Sequence, residues 1–299
     1  MKDLMLGTKT WRYGLACPLS EAIRRTADLG FRFIDINSHL IRYEKKIYYW
    51  PKEIAPTYRD KIKQLLRGHS LEAGIVIPKT PLLTKEDLGS IKIEDIAELS
   101  DITEEKALSF PFRLKLGIDT ARDLSVQLLD DIHLPSSNKW TDIEHLKSII
   151  KSIETHDVKI GLENRDDTDP KQLLKTLKEL NMRNVGLTFD MGHFYNYFKD
   201  SEMVVEQIRK LGDFICHVHV HEESKNSSST KFGLGNINWI KIIKAFKTIE
   251  FSGSLTLEMD PEDCYILSMP PHPDPEVLRY KWTMEYLLKD AYPDLTIPR

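Results

Sequence analysis

Cysteine is scarce in this chain of 299 residues: Cys17, Cys216 and Cys264 stand far apart, and no CxxC pair occurs. An odd count at wide spacing offers neither a disulfide framework nor a zinc ribbon, and it is the usage expected in a reducing cytoplasm. Long apolar runs are missing too, and none approaches the ~18–20 residues of a membrane helix. The opening "MKDLMLGTKTWRYG" lacks the apolar core and small-residue cleavage site of a signal peptide. The expectation is a soluble, cytoplasmic protein with no membrane partner. There is no excess of positive charge: 42 Lys and Arg against 46 Asp and Glu leave a formal net charge of −4. Such a balance gives no general drive toward nucleic acid, so no nucleic-acid partner is expected. No GxxxxGK[ST] loop, no helix-opening GxGxxG and no GxSxG elbow is present, and "GLGNIN" is only a fragment of such a pattern. Neither a nucleotide cofactor nor a serine nucleophile of that type is expected.

What the chain does have is alternation. In the C-terminal half, "KIGLEN", "NVGLTFD", "ICHVHV" and "GSLTLEM" are short apolar runs, and each is preceded or followed by an amphipathic stretch. "DPKQLLKTLKEL" starts with Asp169 as cap and Pro170 in the first turn, then carries Leu173, Leu174, Leu177 and Leu180 on one stripe. "SEMVVEQIRKL" has Val204, Val205, Ile208 and Leu211 on its stripe and is expected to stop at Gly212. The N-terminal half repeats the grammar with "DLMLGTK", "FRFIDIN", "EAGIVIP" and "SVQLLDDI" as strands. Strand-then-helix repetition implies parallel strands and right-handed crossovers. Eight strands with about eight helices make a single (β/α)8 TIM barrel spanning residues 1–299. Residues 40–68, aromatic-rich around "RYEKKIYYWP", and the acidic, polar 82–108 are expected to be long βα excursions.

Active sites of such barrels lie at the C-terminal ends of the strands. The last four strands end, in order, with Glu163, Asp190 (His193 three residues on), the run His217, His219, His221, and Glu258. The alternate histidines share one strand face, with Cys216, Val218 and Val220 on the other. Any one of these residues alone is unremarkable: a glutamate closing an apolar strand is commonly a rim residue, and His217 or His221 can be a supporting or solvated side chain. Asp190-Met-Gly-His193 can be read as a turn in which Gly192 supplies an unusual φ. The conjunction says more. Three carboxylates and an imidazole in one barrel mouth repel one another unless a cation joins them.

The series "GLEN … GLTFDMGH … HVHVHEE … FGLGNINW … LTLEM" resembles the xylose isomerase-like TIM barrels. That superfamily includes sugar and sugar-phosphate isomerases and epimerases, inosose dehydratases and endonuclease IV. The resemblance is strongest over residues 140–290, and "LGFRFIDIN" is similar to the second strand. It implies one divalent ion held by Glu163, Asp190, His219 and Glu258, with His219 chosen because it precedes the strand-end acid Glu222 by three positions. It implies that His193 approaches substrate hydroxyls and that Lys225 stands where epimerases often place an arginine over the substrate. His217 is then expected to be a buried supporting residue, and His221 to lie at the substrate rim. The trinuclear zinc site of endonuclease IV is not expected, because Val76, Asp130, Ser227 and Ser229 stand where its extra ligands would be. The loop also lacks the His-x-Pro of many members.

An oxygen-rich donor set of this kind suits Mn²⁺, Mg²⁺, Co²⁺ or Zn²⁺. Such an ion would polarise a carbonyl, with Glu163 and Glu258 as the proton-transfer pair across the substrate. The expected activity is isomerisation or epimerisation of a sugar, polyol or sugar phosphate through an enediolate. The alternative is a metal-dependent dehydratase of the inosose or dehydroshikimate type. A repair nuclease or a non-catalytic binding barrel fits the residues less well. The partner is a carbohydrate-like small molecule, and homo-oligomerisation is left open.

Overall fold

The computed structural model describes residues 4–10, 17–43, 46–83, 95–99, 102–133, 143–152, 157–223, 232–258 and 274–292. Eight parallel strands close into a barrel: β1 (Leu4–Lys9), β2 (Phe33–Ile36), β5 (Glu72–Val76), β8 (Leu128–His133), β9 (Lys159–Glu163), β10 (Val185–Asp190), β11 (Ile215–Val220) and β12 (Gly253–Leu257). They follow one another around the barrel in chain order, and β12 closes against β1 with Leu6 opposite Leu255. The chain forms parallel strands here because each is a short apolar run joined to the next by a crossover, and a parallel pair cannot be connected by a tight turn.

The helices cover the barrel with the faces that the sequence periodicity marks. In α1 (Leu19–Asp28), Leu19, Ala22, Ile23 and Thr26 are buried. After α2 (Arg59–Gly68), α3 (Glu104–Leu108), α4 (Phe110–Leu124) and α5 (Ile143–Ser152), α6 (Pro170–Leu180) begins as its Asp-Pro signal predicts. Asp169 accepts a hydrogen bond from the amide of Lys171, and Asn181 ends the helix in the left-handed region. α7 (Met191–Phe198) follows β10 directly, with Asp190 as its cap. α8 (Ser201–Leu211), α9 (Trp239–Thr248) and α10 (Asp274–Ala291) complete the set, and no helix among the described residues is long and apolar enough to cross a membrane. As expected, α8 stops at Gly212, its C-cap, although not through a left-handed turn. The Gly212 backbone is helical (φ −49°), the chain runs on into a 3-10 turn, and a Cβ there would come within 3.2 Å of the Ile249 side chain.

The excursions have their own architecture, which the sequence pattern does not reveal. β3 (His39–Tyr43) and β4 (Lys46–Trp50) form an antiparallel hairpin directly after β2. β6 (Lys79–Leu83) joins β3 in parallel and β7 (Ala97–Glu98) joins β4, giving a second sheet in the order β6-β3-β4-β7. Buried Ile41, Trp50 and Ile96 form a small apolar cluster of their own within it.

One strand departs from regular geometry in a way that matters for the interior. Between Leu129 and Ile132 the pairing of β8 with β9 shifts register, and Asp131 takes a left-handed φ of 57°. Successive residues of a regular strand point to opposite faces. The bulge breaks that rule, and the buried carboxylates of both Asp130 and Asp131 reach ionisable groups inside the barrel.

Candidate metal centre

The strand ends bring together the residues that the sequence singles out. Ligand atoms from Glu163, Asp190, His219 and Glu258 all lie within 4.8 Å of one another. His219 Nδ1 is their hub, 2.5 Å from Glu163 Oε1, 3.2 Å from Glu258 Oε2 and 3.9 Å from Asp190 Oδ2. Ions with bonds of ~2.0–2.3 Å hold adjacent ligands ~3 Å apart and opposite ligands ~4.5 Å apart, so the spread fits a cation. Asp190 supplies a second indication. Its Oδ1 accepts from the His193 amide at 2.7 Å, whereas its buried Oδ2 accepts no hydrogen bond. A buried carboxylate oxygen left in this way is costly unless an ion meets it. Burial pushes the Asp190 pKa up, whereas Glu163 lies below its usual value because His219 and His133 outweigh its burial and the repulsion of Asp131. For His219, burial and Lys9 disfavour the second proton, but the surrounding carboxylates raise its pKa well above the ordinary value.

The ligand candidates are held by residues that the sequence reading passed over. Asn164 follows Glu163, and its side chain bridges two strand ends. Nδ2 donates to the carbonyl of Asp190 and Oδ1 accepts from the Asp190 amide, both at 2.9 Å. Lys9, at the end of β1 and 3% exposed, puts Nζ 2.6 Å from Glu258 Oε2 and 3.5 Å from Asp131 Oδ2. His133, rather than Asp130, ends the fourth barrel strand, because the bulge carries the chain further before it leaves the barrel. Its Nε2 is 2.7 Å from Glu163 Oε2 and 2.6 Å from Asp131 Oδ1, and Arg165 donates to its Nδ1 at 3.0 Å. An arginine can only donate, so Nδ1 carries the lone pair and Nε2 donates its proton to Glu163, with Asp131 close by as an ion-pair neighbour. The clue available in the sequence was the same for Lys9, Asp35 and His133: an ionisable residue closing or interrupting an apolar strand in the first four repeats as well as the last four.

The remaining histidines divide. His217 is fully buried, with Nδ1 2.5 Å from Ser254 Oγ and Nε2 2.9 Å from Asp35 Oδ2. His193 Nδ1 pairs with Asp166 at 2.8 Å and stands edge-on to the His221 ring at 5.8 Å. Burial lowers the His193 pKa, but Asp190 and Asp166 more than offset it and hold it at about 9. His221 is partly buried, 3.9 Å from Asp190 Oδ2. Gly192 has no unusual φ. It lies in the first turn of α7, and a Cβ there would come within 3.0 Å of His221, so close approach explains the glycine. Lys225, Ser227 and Ser229 lie outside the described residues. Glu222 accepts from the Gly233 amide at 2.8 Å and from the Trp239 indole at 2.5 Å. Gly235 packs so tightly beside it that a Cβ would lie 2.2 Å from Glu222 Oε1, which accounts for "FGLGNINW".

The family model of the xylose isomerase-like TIM barrels matches residues 23–289. The chain belongs to that family. An uncharacterized protein of Methanocaldococcus jannaschii is 33% identical over 120 residues; the match covers 38% of this chain and 41% of that protein, so the chain spans less than half its length. Several proteins of known structure share the fold at low identity. An L-ribulose 3-epimerase superposes with a TM-score of 0.69 at 15% identity, covering 97% of this chain and 96% of that one. D-psicose 3-epimerase from Clostridium cellulolyticum H10, solved with D-tagatose, superposes with a TM-score of 0.65 at 17% identity, covering 95% and 99%.

Proposed function

We propose that this chain is a divalent-metal-dependent isomerase or epimerase of a sugar, polyol or sugar phosphate. The observation that carries the reading is the cluster of Glu163, Asp190, His219 and Glu258 at four consecutive strand ends, with ligand atoms within 4.8 Å of one another. The family, and the sugar 3-epimerases that share the fold, support the substrate class. A bound Mn²⁺, Mg²⁺, Co²⁺ or Zn²⁺ would polarise a substrate carbonyl and acidify the neighbouring C–H.

Glu163 and Glu258 then do the proton work, one removing the proton and the other returning one to the enediolate. Return to the opposite face of the same carbon is epimerisation; return to the neighbouring carbon is isomerisation. Glu163 is tied through Oε2 to His133, which is 31% exposed and gives a proton a route toward solvent. Lys9 sets a fixed positive charge beside Glu258, where negative charge develops on the substrate. His193 and His221 orient substrate hydroxyls at the rim, and Lys225 keeps the substrate-binding role that the family resemblance gives it.

The test is exchange in D₂O with a panel of ketoses, aldoses and their phosphates, with Mn²⁺ and with EDTA. Deuterium should enter at the carbon beside the carbonyl only with metal. A protein that holds one ion yet exchanges no substrate in the panel refutes the reading, and a dehydrated product in place of an epimer would assign the dehydratase chemistry instead.

A further inference from the structure

Below the strand-end cluster lies a second layer of ionisable groups that the chemistry above does not use: Asp35, Asp130 and His217, all fully buried. We propose that Asp130 is the positioning residue of the metal centre, holding the proton of His219 on Nε2 so that Nδ1 is the nitrogen free to meet the cation. The proposal rests on the metal-centre reading above.

A neutral imidazole has one proton and one lone pair, and the metal takes the lone pair. Both nitrogens of His219 face acids. Nδ1 is 2.5 Å from Glu163 Oε1, and Nε2 is 3.0 Å from Asp130 Oδ2. Were Nε2 without a partner, the short contact with Glu163 would keep the proton on Nδ1 and turn the ligand into a donor. Asp130 supplies the competing acceptor on the far side of the ring. A carboxylate bound to the outer nitrogen of a metal-ligating histidine fixes its tautomer and orientation in this way.

The fold commits residues to the arrangement. Asp130 lies on the inward face of its strand, with Leu129 turned toward Gly117 of α4 and Gly161 leaving room beside the Asp130 Cβ. Behind Asp130, His217 Nε2 lies 3.4 Å from the same Oδ2 while donating to Asp35 Oδ2 at 2.9 Å, and Ser254 occupies its Nδ1. Asp35 in turn fits only because Gly74 faces it. A Cβ on Gly74 would lie 2.2 Å from Asp35 Oδ1. The line Asp35–His217–Asp130–His219 thus alternates acid and imidazole down the barrel axis, away from solvent that would weaken each bond. These four groups are themselves close enough to hold an ion. His219 cannot serve both groups, however, because a neutral ring has a single lone-pair nitrogen. The upper cluster has three carboxylates to the lower cluster's two, and it opens at Glu258, which is 24% exposed.

The test uses Asp130→Asn, which keeps shape but lets an amide N–H face Nε2. Mn²⁺ binding to the full-length protein should weaken 10–100-fold. Asp35→Asn, one step further from the ring, should change it less than about threefold. With ¹⁵N-histidine labelling, the Zn²⁺ form of the wild type should show His219 Nε2 protonated and Nδ1 bound. Asp130→Asn should lose or reverse that pattern, which loss of fold alone would not do. Equal Mn²⁺ affinity in the two proteins, or an unprotonated Nε2 in the wild type, overturns the proposal. So does a stoichiometry of two ions with one lost in Asp130→Asn, since the lower group would then be a site of its own. If wild type binds no divalent ion, the metal-centre reading fails and takes the proposal with it, whereas an ion bound equally well by Asp130→Asn overturns the proposal alone.

Discussion

Lys9→Met should separate the electrostatics of this centre from its packing. Lys9 Nζ is 2.6 Å from Glu258 Oε2 and 3.5 Å from Asp131 Oδ2, and the side chain is 3% exposed. Burial opposes its charge, yet Glu258, Asp131, Glu163 and Asp130 together raise its pKa well above the usual value, so it is a fixed cation across the working pH range. Methionine keeps the length and removes the charge. Removing one partner of a buried pair typically costs ~3–5 kcal/mol. Glu258 is 24% exposed and can recover some hydration, so the expected loss in EDTA is at the lower end, about 3 kcal/mol. Saturating Mn²⁺ should restore most of it, because a second cation then meets the same carboxylates. The same substitution should tighten Mn²⁺ binding. Like charges ~4 Å apart repel by about 4 kcal/mol at an effective dielectric of ~20, and a quarter of that already means several-fold. Urea unfolding with and without metal, together with Mn²⁺ titration, reads both effects. A loss of stability that metal does not repair, or weaker Mn²⁺ binding, would show that Lys9 acts through packing and refute the electrostatic account.

Glu258→Gln and Glu163→Gln should each abolish proton exchange at saturating metal while leaving the far-ultraviolet spectrum unchanged, and the double variant should be no worse than either single one, because both act on one intermediate. Near wild-type exchange in either variant with full metal occupancy would direct attention to His193 as the base. Gly235→Ala should destabilise by ~2 kcal/mol or more on thermal melting, since the added Cβ lands 2.2 Å from Glu222 Oε1 and 2.3 Å from the Glu223 carbonyl. An unchanged melting temperature would mean the segment shifts freely. Burial pushes the Cys216 thiol up to about 12, so at pH 8 it stays protonated. Iodoacetamide at that pH should label Cys216 slowly in the native protein and rapidly in urea, as read by peptide mass spectrometry; rapid native labelling would contradict the raised thiol pKa of this partly buried cysteine.

The barrel strands are legible in the sequence because short apolar runs bounded by helix signals carry their own identity, and a parallel barrel fixes which end of each faces the site. The grouping of Glu163, Asp190 and Glu258 with a histidine of the seventh barrel strand follows from that polarity, and the family resemblance selects His219 among the three. The supporting residues are hidden for physical reasons. Asp131 reaches the interior beside Asp130 only because it takes a conformation that a non-glycine residue rarely adopts, where strand alternation would have placed the two acids on opposite faces. Asn164 acts through backbone atoms of the next strand, a contact with no spacing rule in sequence. Gly74 and Gly192 are glycines for what lies opposite them, Asp35 and His221, rather than for their own torsions. The second sheet escapes notice because its strands are short and two of its three pairings, β3 with β6 and β4 with β7, join segments far apart in the chain.

Glu222 ties the segment before residues 224–231 to the segment after them, through the Gly233 amide and the Trp239 indole, and the Glu223 carbonyl accepts from the Asn236 amide at 3.0 Å. Both flanks of residues 224–231 are therefore set by one carboxylate that belongs to the scaffold and not to the four-residue cluster. Such a division uncouples the two: a substitution within the cluster leaves these fasteners intact, and the loss of Glu222 would unfasten the chain without removing any of Glu163, Asp190, His219 or Glu258.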